Sequence, residues 1–298
     1  MTGAIQLRGI FPPIPTPFEP DGAVAHEHLA ANLGRWNETP LSGYVVLGST
    51  GEYVYLTWEE RLKILEVARR HIPASRRLIA GTGWESTQVT IEFTRRAADR
   101  GADAALVVTP CYYKAAMKPE VLRAHYERVA GASPIPVILY NVPQFTGVNL
   151  PPGLAAELGR HPQITGIKDS TGDVGQVQEL VRLAPPGFQV VVGMAETLLA
   201  SLATGACGAV LAFANIAPHQ CVELQRLHDE GKLEEARALQ WRMVPSARAV
   251  TSTYGIRGLK AAMDLLGYYG GPPRPPLPPA TPDEVAAIRG LLRDAGLL

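Results

Sequence analysis

Cysteine is scarce in this 298-residue chain, which has only Cys111, Cys207 and Cys221. The number is odd and the spacings match no zinc or dithiol motif, so no disulfide scaffold or cysteine-bound metal is expected. All three are read as small buried hydrophobes. Net charge is missing too: 28 Lys and Arg stand against 28 Asp and Glu. A balanced surface provides no field to hold nucleic acid or an anionic membrane. No apolar run approaches the roughly 20 residues of a membrane span. The opening MTGAIQLRGIFPPIP has neither a charged stretch leading into an apolar one nor an Arg/Ser-rich amphipathic presequence, so a cytoplasmic protein is expected. Histidine is thin as well, with seven in all. His26, His28, Glu52 and Asp169 are the candidate metal ligands. No histidine closes an apolar run, and surface histidines are the expectation.

Apolar residues are plentiful, at 46%, which is enough for a large core and too much for a disordered chain. They fall into short runs: Gly43 to Leu47, Arg77 to Ala80, Ala104 to Val108, Pro136 to Tyr140, Ile164 to Lys168, Gln189 to Val192 and Ala209 to Phe213. The runs recur about every 20 to 34 residues, a spacing that suits strand–helix units. They do not alternate strictly, as expected of parallel strands covered on both faces. The proline-rich GIFPPIPTPF supplies an eighth short strand. Helical patterns lie between. Thr57 with Glu60 spells a capping box, and Ser86 to Arg100 puts Val89, Phe93 and Ala97 on one face. Eight such units point to α/β architecture, a closed (β/α)8 TIM barrel over residues 1–216. An open doubly wound sheet would need a glycine-rich loop after its first strand, where this chain has prolines.

After Asn215 the strand signal stops. Helices are expected over Ala217 to Glu230, Lys232 to Met243 and Ser246 to Leu266, forming a C-terminal helical extension (217–298) packed on the barrel. The segment GYYGGPPRPPLPPATP is read as an ordered connection rather than a polyproline ligand. It leads into a last helix with Thr281 as cap, Pro282 in the first turn and Glu284 completing a capping box.

Active sites of such barrels lie at the C-terminal ends of the strands. The second run ends in Gly48-Ser49-Thr50-Gly51-Glu52, a tight turn with hydroxyls and backbone N–H groups suited to a carboxylate or phosphate. The fifth ends at Tyr140, a packed aromatic or a proton carrier. The sixth ends at Lys168. Of six lysines (63, 114, 118, 168, 232 and 260), it alone closes an apolar strand. Its amine is expected at the barrel mouth, with Asp169 facing the other way. Desolvation there favours a neutral, nucleophilic amine; a structural ion pair is the alternative. An amine, a hydroxyl-rich turn and a phenol together suit an enzyme that works on a 2-oxo acid through an enamine.

The motifs GSTGE (Gly48 to Glu52), YNVP (Tyr140 to Pro143) and GIKDS (Gly166 to Ser170), in that order at strand ends, resemble the dihydrodipicolinate synthase and N-acetylneuraminate lyase superfamily. ESTQVT (Glu85 to Thr90), GADAALVVTPCYYK (Gly101 to Lys114) and GYYGGPPRPPL (Gly267 to Leu277) look closer to 4-hydroxy-2-oxoglutarate aldolase. The resemblance implies a lyase, a pyruvate-dependent class I aldolase, with Lys168 as Schiff-base lysine and no metal or organic cofactor. It implies Tyr140 as proton relay, with Ser49 and Thr50 binding the pyruvyl carboxylate. Tyr112, or its neighbour Tyr113, would reach into another subunit's site. Gly193 and Val210 would line the pyruvyl end, with Ser170 as an added polar contact. A homotetramer built as a dimer of dimers is implied. One departure stands out. Dihydrodipicolinate synthases carry an arginine two residues after YNVP that holds the second substrate's carboxylate, and Phe145 is in that place here. Losing a bidentate clamp is not conservative.

The expectation is therefore reversible cleavage of 4-hydroxy-2-oxoglutarate to pyruvate and glyoxylate. The alternatives are 4-hydroxy-tetrahydrodipicolinate synthase, joining pyruvate to aspartate semialdehyde, or another sugar-acid aldolase or dehydratase of the superfamily. A metal-dependent lyase and a non-catalytic sensor are the readings from other classes. Intact Lys168, Tyr140 and Ser49 speak against a sensor.

Overall fold

The computed structural model describes residues 5–298. Eight parallel strands form one sheet: β1 Gly9–Phe11, β2 Gly43–Val46, β3 Arg77–Gly81, β4 Ala104–Val108, β5 Val137–Asn141, β6 Ile164–Asp169, β7 Gln189–Val192 and β8 Gly208–Val210. From β2 to β8 each strand pairs with the next in sequence, and β8 pairs with β1. The barrel closes between β1 and β2, where prolines limit the ladder. The Ser42 N–H donates to the Ile10 carbonyl at 3.0 Å, Val45 N–H to Pro12 at 3.0 Å and Ile14 N–H to Val45 at 2.9 Å. Pro12 and Pro13 have no N–H to give but still accept, which explains why the proline-rich opening forms only a short strand.

Between the strands run α1 His26–Trp36, α2 Trp58–His71, α3 Thr87–Asp99, α4 Pro119–Ala132, the single turn α5 Pro143–Thr146, α6 Pro152–Leu158, α7 Val174–Leu183 and α8 Leu198–Ala203. The Thr57/Glu60 capping box on α2 is formed at both ends. On α3 the buried residues are Thr90, Ile91, Phe93, Thr94 and Ala97, so Phe93 and Ala97 lie inward as expected while Val89 is half-buried. The two threonines are accommodated because Thr94 donates to Thr82 at 2.9 Å and Thr90 to the Ser86 carbonyl at 3.0 Å.

Two apolar layers follow from strand alternation. Val45, Ile79, Leu106, Ile138 and Val191 point into the barrel, while Tyr44, Val46, Val107, Leu139 and Ile167 pack against the helices. One irregularity sets the site. On β6 the pairing jumps from Val137–Ile164 to Ile138–Gly166, leaving Thr165 as an extra residue. A single added residue moves every later side chain to the other face. Without it Lys168 would face the helices; with it Lys168 pairs with Tyr140 and shares its inward side. Gly166 is required at the bulge, because a Cβ there would stand 2.2 Å from the Gln189 carbonyl oxygen.

Several expected elements differ in extent. The run to Leu47 stops as strand at Val46, because Leu47 turns into the left-handed region (φ 63°). The run to Phe213 stops at Val210, and Ala212–Asn215 form a 3₁₀ turn. There the Asn215 amide donates to the Pro13 and Ala212 carbonyls, both at 2.9 Å. The helix expected over residues 246–266 is divided. α9 Pro218–Asp229, expected as the first helix of the extension, instead packs on β1 as the barrel's eighth helix. α10 Leu233–Arg248 then runs into a π-turn at Ala249–Thr253 before α11 Gly255–Leu265. α12 Pro282–Asp294 has its Thr281/Glu284 capping box in place. The proline-rich segment before α12 is an ordered strap. Asn32 and Tyr269 exchange two hydrogen bonds, at 2.8 and 2.9 Å, and the Tyr269 hydroxyl donates to the Phe18 carbonyl at 3.0 Å.

Candidate active site

Lys168 is 4% exposed and its Nζ lies 4.1 Å from the centre of the Tyr140 ring. Beneath it is a small apolar cavity lined by Phe11, Val45, Ile138, Val191 and Val210. The Tyr140 hydroxyl is 3.3 Å from Ser49 Oγ. Lysine, phenol and serine hydroxyl therefore converge at the C-terminal mouth from β6, β5 and the turn after β2. Asp169, one residue on, faces the opposite side of the sheet and is fully occupied. It accepts from the amides of Asn141 and Gln176, each at 2.8 Å, and from the N–H and hydroxyl of Thr171. The strand neighbour of Lys168 is thus not its counter-ion. No carboxylate stands within ion-pair distance of Lys168 among the described residues.

The turn that carries Ser49 is strained. Leu47 and Glu52 both adopt positive φ (63° and 53°), each costing on the order of 1–3 kcal/mol for a non-glycine residue. Gly81 makes the first possible, since a Cβ there would lie 2.0 Å from the Leu47 oxygen. Ser49, Thr50 and Gly51 form one 3₁₀ turn, whose leading N–H groups have no partner within it. Thr50 is half-buried beside Ser49. Ser170 and Gly193 touch across β6 and β7; a Cβ on Gly193 would stand 1.9 Å from Ser170 Oγ. The backbone there is pinned by the Gly193 N–H donating to the Asp169 carbonyl at 2.7 Å. Val210 shares the cavity under Lys168.

Tyr112 does not join this group within the chain. It is 76% exposed, and its ring meets Tyr113 edge-on at 5.0 Å. Its loop is anchored by Glu85, which accepts from the N–H groups of Cys111 (2.9 Å) and Tyr112 (2.8 Å) and from the Cys111 thiol (3.2 Å). Burial and this carboxylate push the thiol up to about 11, away from reactivity. Phe145 lies on α5, 71% exposed at the rim.

Sequence reasoning missed several residues at the mouth. Tyr53 lines it together with Gly48, Gly83, Val108 and Tyr140. Burial, and then the nearby Tyr140 phenol, push the Tyr53 hydroxyl up to about 12. Arg61 fixes Tyr53 by donating to its carbonyl at 2.7 Å while stacking 3.9 Å over Trp84. Burial lowers the Arg61 guanidinium to about 10. Neither residue ends an apolar run, so strand-end reasoning could not find them. The proposed metal ligands do not assemble. Glu52 pairs with Lys260 at 2.6 Å and His28 stacks on Tyr269 at 3.7 Å. Among the described residues no three His, Cys, Asp or Glu side chains cluster as a metal site.

Residues 6–295 match the Dihydrodipicolinate synthetase family. The 4-hydroxy-tetrahydrodipicolinate synthase of Methanothrix thermoacetophila is 38% identical over 96% of both chains, and that of Methanopyrus kandleri 36% over 98% of both. The dihydrodipicolinate synthase structure from Thermotoga maritima superposes with a TM-score of 0.94 at 31% identity, covering 99% of this chain and 100% of that one. The structure from Acinetobacter baumannii, a complex with pyruvate, also gives 0.94, at 33% identity over 98% and 100%. The nearer likeness to 4-hydroxy-2-oxoglutarate aldolase finds no support in these relatives, which carry the synthase name. The chain belongs to the dihydrodipicolinate synthetase family and is a carbon–carbon lyase of the pyruvate-dependent class I aldolase superfamily.

Proposed function

We propose that Lys168 forms an imine with C2 of pyruvate and that Tyr140 and Ser49 move the protons. The observation that carries this reading is the inward Lys168 amine, 4.1 Å from the Tyr140 ring, with that phenol 3.3 Å from Ser49 Oγ. The amine attacks the ketone carbon, water leaves, and the protonated imine draws electrons from a C3–H bond. Loss of a C3 proton gives the enamine. In the condensing direction the enamine carbon attacks an aldehyde carbonyl, and Tyr140 protonates the new alkoxide. In the cleaving direction Tyr140 takes the C4 hydroxyl proton, the C3–C4 bond breaks and the aldehyde leaves. The enamine is then protonated at C3, and water hydrolyses the resulting imine to pyruvate and the free Lys168 amine. The turn N–H groups and hydroxyls at Ser49 and Thr50 hold the pyruvyl carboxylate. Gly193 and Val210 line the pyruvyl end, with Ser170 beside them. Nothing in this cycle calls for a metal or organic cofactor.

The names of the relatives favour condensation of pyruvate with aspartate semialdehyde, the 4-hydroxy-tetrahydrodipicolinate synthase reaction. Phe145 favours a second reading, cleavage of 4-hydroxy-2-oxoglutarate, because the rim offers an aromatic ring in place of the arginine clamp. The cation beside that rim is Lys114, whose Nζ packs against Gly147; it is available to a distal carboxylate of either partner. In a homotetramer, Tyr112 of a neighbouring copy would complete the site. Turnover with pyruvate plus aspartate semialdehyde, set against pyruvate release from 4-hydroxy-2-oxoglutarate, separates the two readings. Absence of both activities, together with no imine on Lys168, contradicts the proposal.

A further inference from the structure

The C-terminal extension reaches the barrel mouth at Glu52, the residue that ends the Ser49 turn. The Glu52 carboxylate is 2% exposed and the Lys260 side chain of α11 1% exposed, with Nζ 2.6 Å from Oε1. The Arg274 N–H, from the proline-rich strap, donates to Oε2 at 2.8 Å. Lys260 also donates to the Pro272 carbonyl at 3.0 Å. The Phe18 ring stands 4.5 Å from each cation. Arg274 in turn forks onto Glu60 at 2.6 and 2.8 Å and reaches the Tyr55 carbonyl at 2.9 Å. The side chains of these groups make no bond to Lys168, Tyr140 or Ser49; the link to the turn is the Glu52 N–H, which donates to the Ser49 carbonyl at 3.1 Å.

The turn needs such support. Ser49 lies between two non-glycine residues in the left-handed region, and that conformation persists only when its surroundings impose it. At Leu47 the constraint is steric, a carbonyl lying flat on Gly81. At Gly51 it is one hydrogen bond, from Thr16 Oγ1 to the carbonyl at 2.7 Å. At Glu52 it is the buried ion pair.

We propose that Lys260 is a positioning residue: through Glu52 it fixes the Ser49 hydroxyl against the Tyr140 phenol and makes the extension part of the catalytic apparatus. The inference rests on the roles proposed above for Lys168, Tyr140 and Ser49. It divides the reaction in two. Imine formation depends on Lys168 and survives loss of the clamp. Proton transfer depends on the Ser49–Tyr140 contact and does not.

The test uses the full-length chain as Lys260→Met. A stranded buried carboxylate can prevent folding, so the neutral pair Glu52→Gln/Lys260→Met is made beside it. Arg257→Met is the control: it lies on the same helix and loses a 2.7 Å bond to Glu284, away from the turn. Borohydride trapping with pyruvate counts working sites. Exchange of pyruvate C3 protons into deuterated water is then measured per trapped site, and amide exchange is followed over residues 47–56. The expected result is retained trapping, C3 exchange per site lower by about 30- to 100-fold as for a small misplacement of a catalytic group, and faster amide exchange in residues 47–56. The control should match wild type in both. C3 exchange per site within about threefold of wild type, with unchanged amides, overturns the inference. A wild type that takes no adduct on Lys168 contradicts the proposed function instead. The clamp is then judged on the amides alone, where no change overturns it.

Discussion

Two lysines are buried in this molecule, and their surroundings differ in kind. Lys260 in the extension is 1% exposed and meets a carboxylate at 2.6 Å. Burial pulls its ammonium below the ordinary range, against the opposing pull of Glu52. Lys168 in the barrel is 4% exposed and meets the face of a phenol. The carboxylate nearest to it in sequence, Asp169, is turned away and held by Asn141, Gln176 and Thr171. A buried lysine with an acid is a fastener; a buried lysine denied one is free to react. The difference comes from strand geometry rather than residue choice, because the bulge at Thr165 decides which of Lys168 and Asp169 faces inward.

The sharpest way to break this comparison is to remove each lysine and ask what is lost. Lys168→Ala should cut turnover by at least ~10⁴-fold while the protein stays folded, because no ion pair is broken. Activity assays with circular dichroism check both halves. A large drop in melting temperature would show Lys168 to be structural as well. Lys260→Met should keep imine formation but lose stability, together with the proton-transfer rate that depends on the Ser49 turn. Leaving Glu52 buried without its partner costs about 3–5 kcal/mol, measurable by denaturant unfolding. Replacing both members of the pair with apolar residues should recover much of that stability.

Tyr140→Phe tests the phenol that faces Lys168. It keeps the ring and removes the hydroxyl that meets Ser49. Turnover should fall by about 10²–10⁴-fold while imine formation persists, as mass spectrometry of the trapped adduct would show. Equal loss of trapping would move Tyr140 from proton transfer to imine formation.

The smallest effect concerns a third buried base, one with neither an acid nor a reaction. His125 hydrogen-bonds Thr87 Oγ1 at 2.9 Å, and burial pushes its imidazole down to about 4. The unfolded chain takes up that proton near pH 6.5. Between these values the unfolded state holds more protons, so stability falls as pH drops from about 6.5 to 4, by on the order of 3 kcal/mol in total. His125→Asn should flatten that limb of the melting-temperature profile. An unchanged slope would place the acid sensitivity elsewhere.

Much of this was legible from local pattern. Apolar runs covered on both faces read as parallel strands, and Lys168 stood out because it closes one of them. The capping boxes at Thr57 and Thr281 are local too, and both are formed. Long-range features were not readable in this way. Nothing near Glu52 in sequence announces a partner on α11, and its bond to Arg274 spans 222 residues. The bulge on β6 was hidden because Ile164-Thr165-Gly166 reads as ordinary strand. Its cause is a close backbone approach at Gly166 that only the assembled sheet shows. The π-turn at Ala249–Thr253 broke a helix whose local sequence carries no stop signal until Gly255, which takes positive φ. Tyr112 was singled out by resemblance as reaching a neighbouring subunit's site, and within one chain it stands exposed.

The most direct test is to treat the protein with pyruvate and borohydride and map every lysine by mass spectrometry. The account predicts one reduced pyruvyl group, carried by Lys168, with Lys260 unmodified in its ion pair. A label on any other lysine, or none at all, would contradict it.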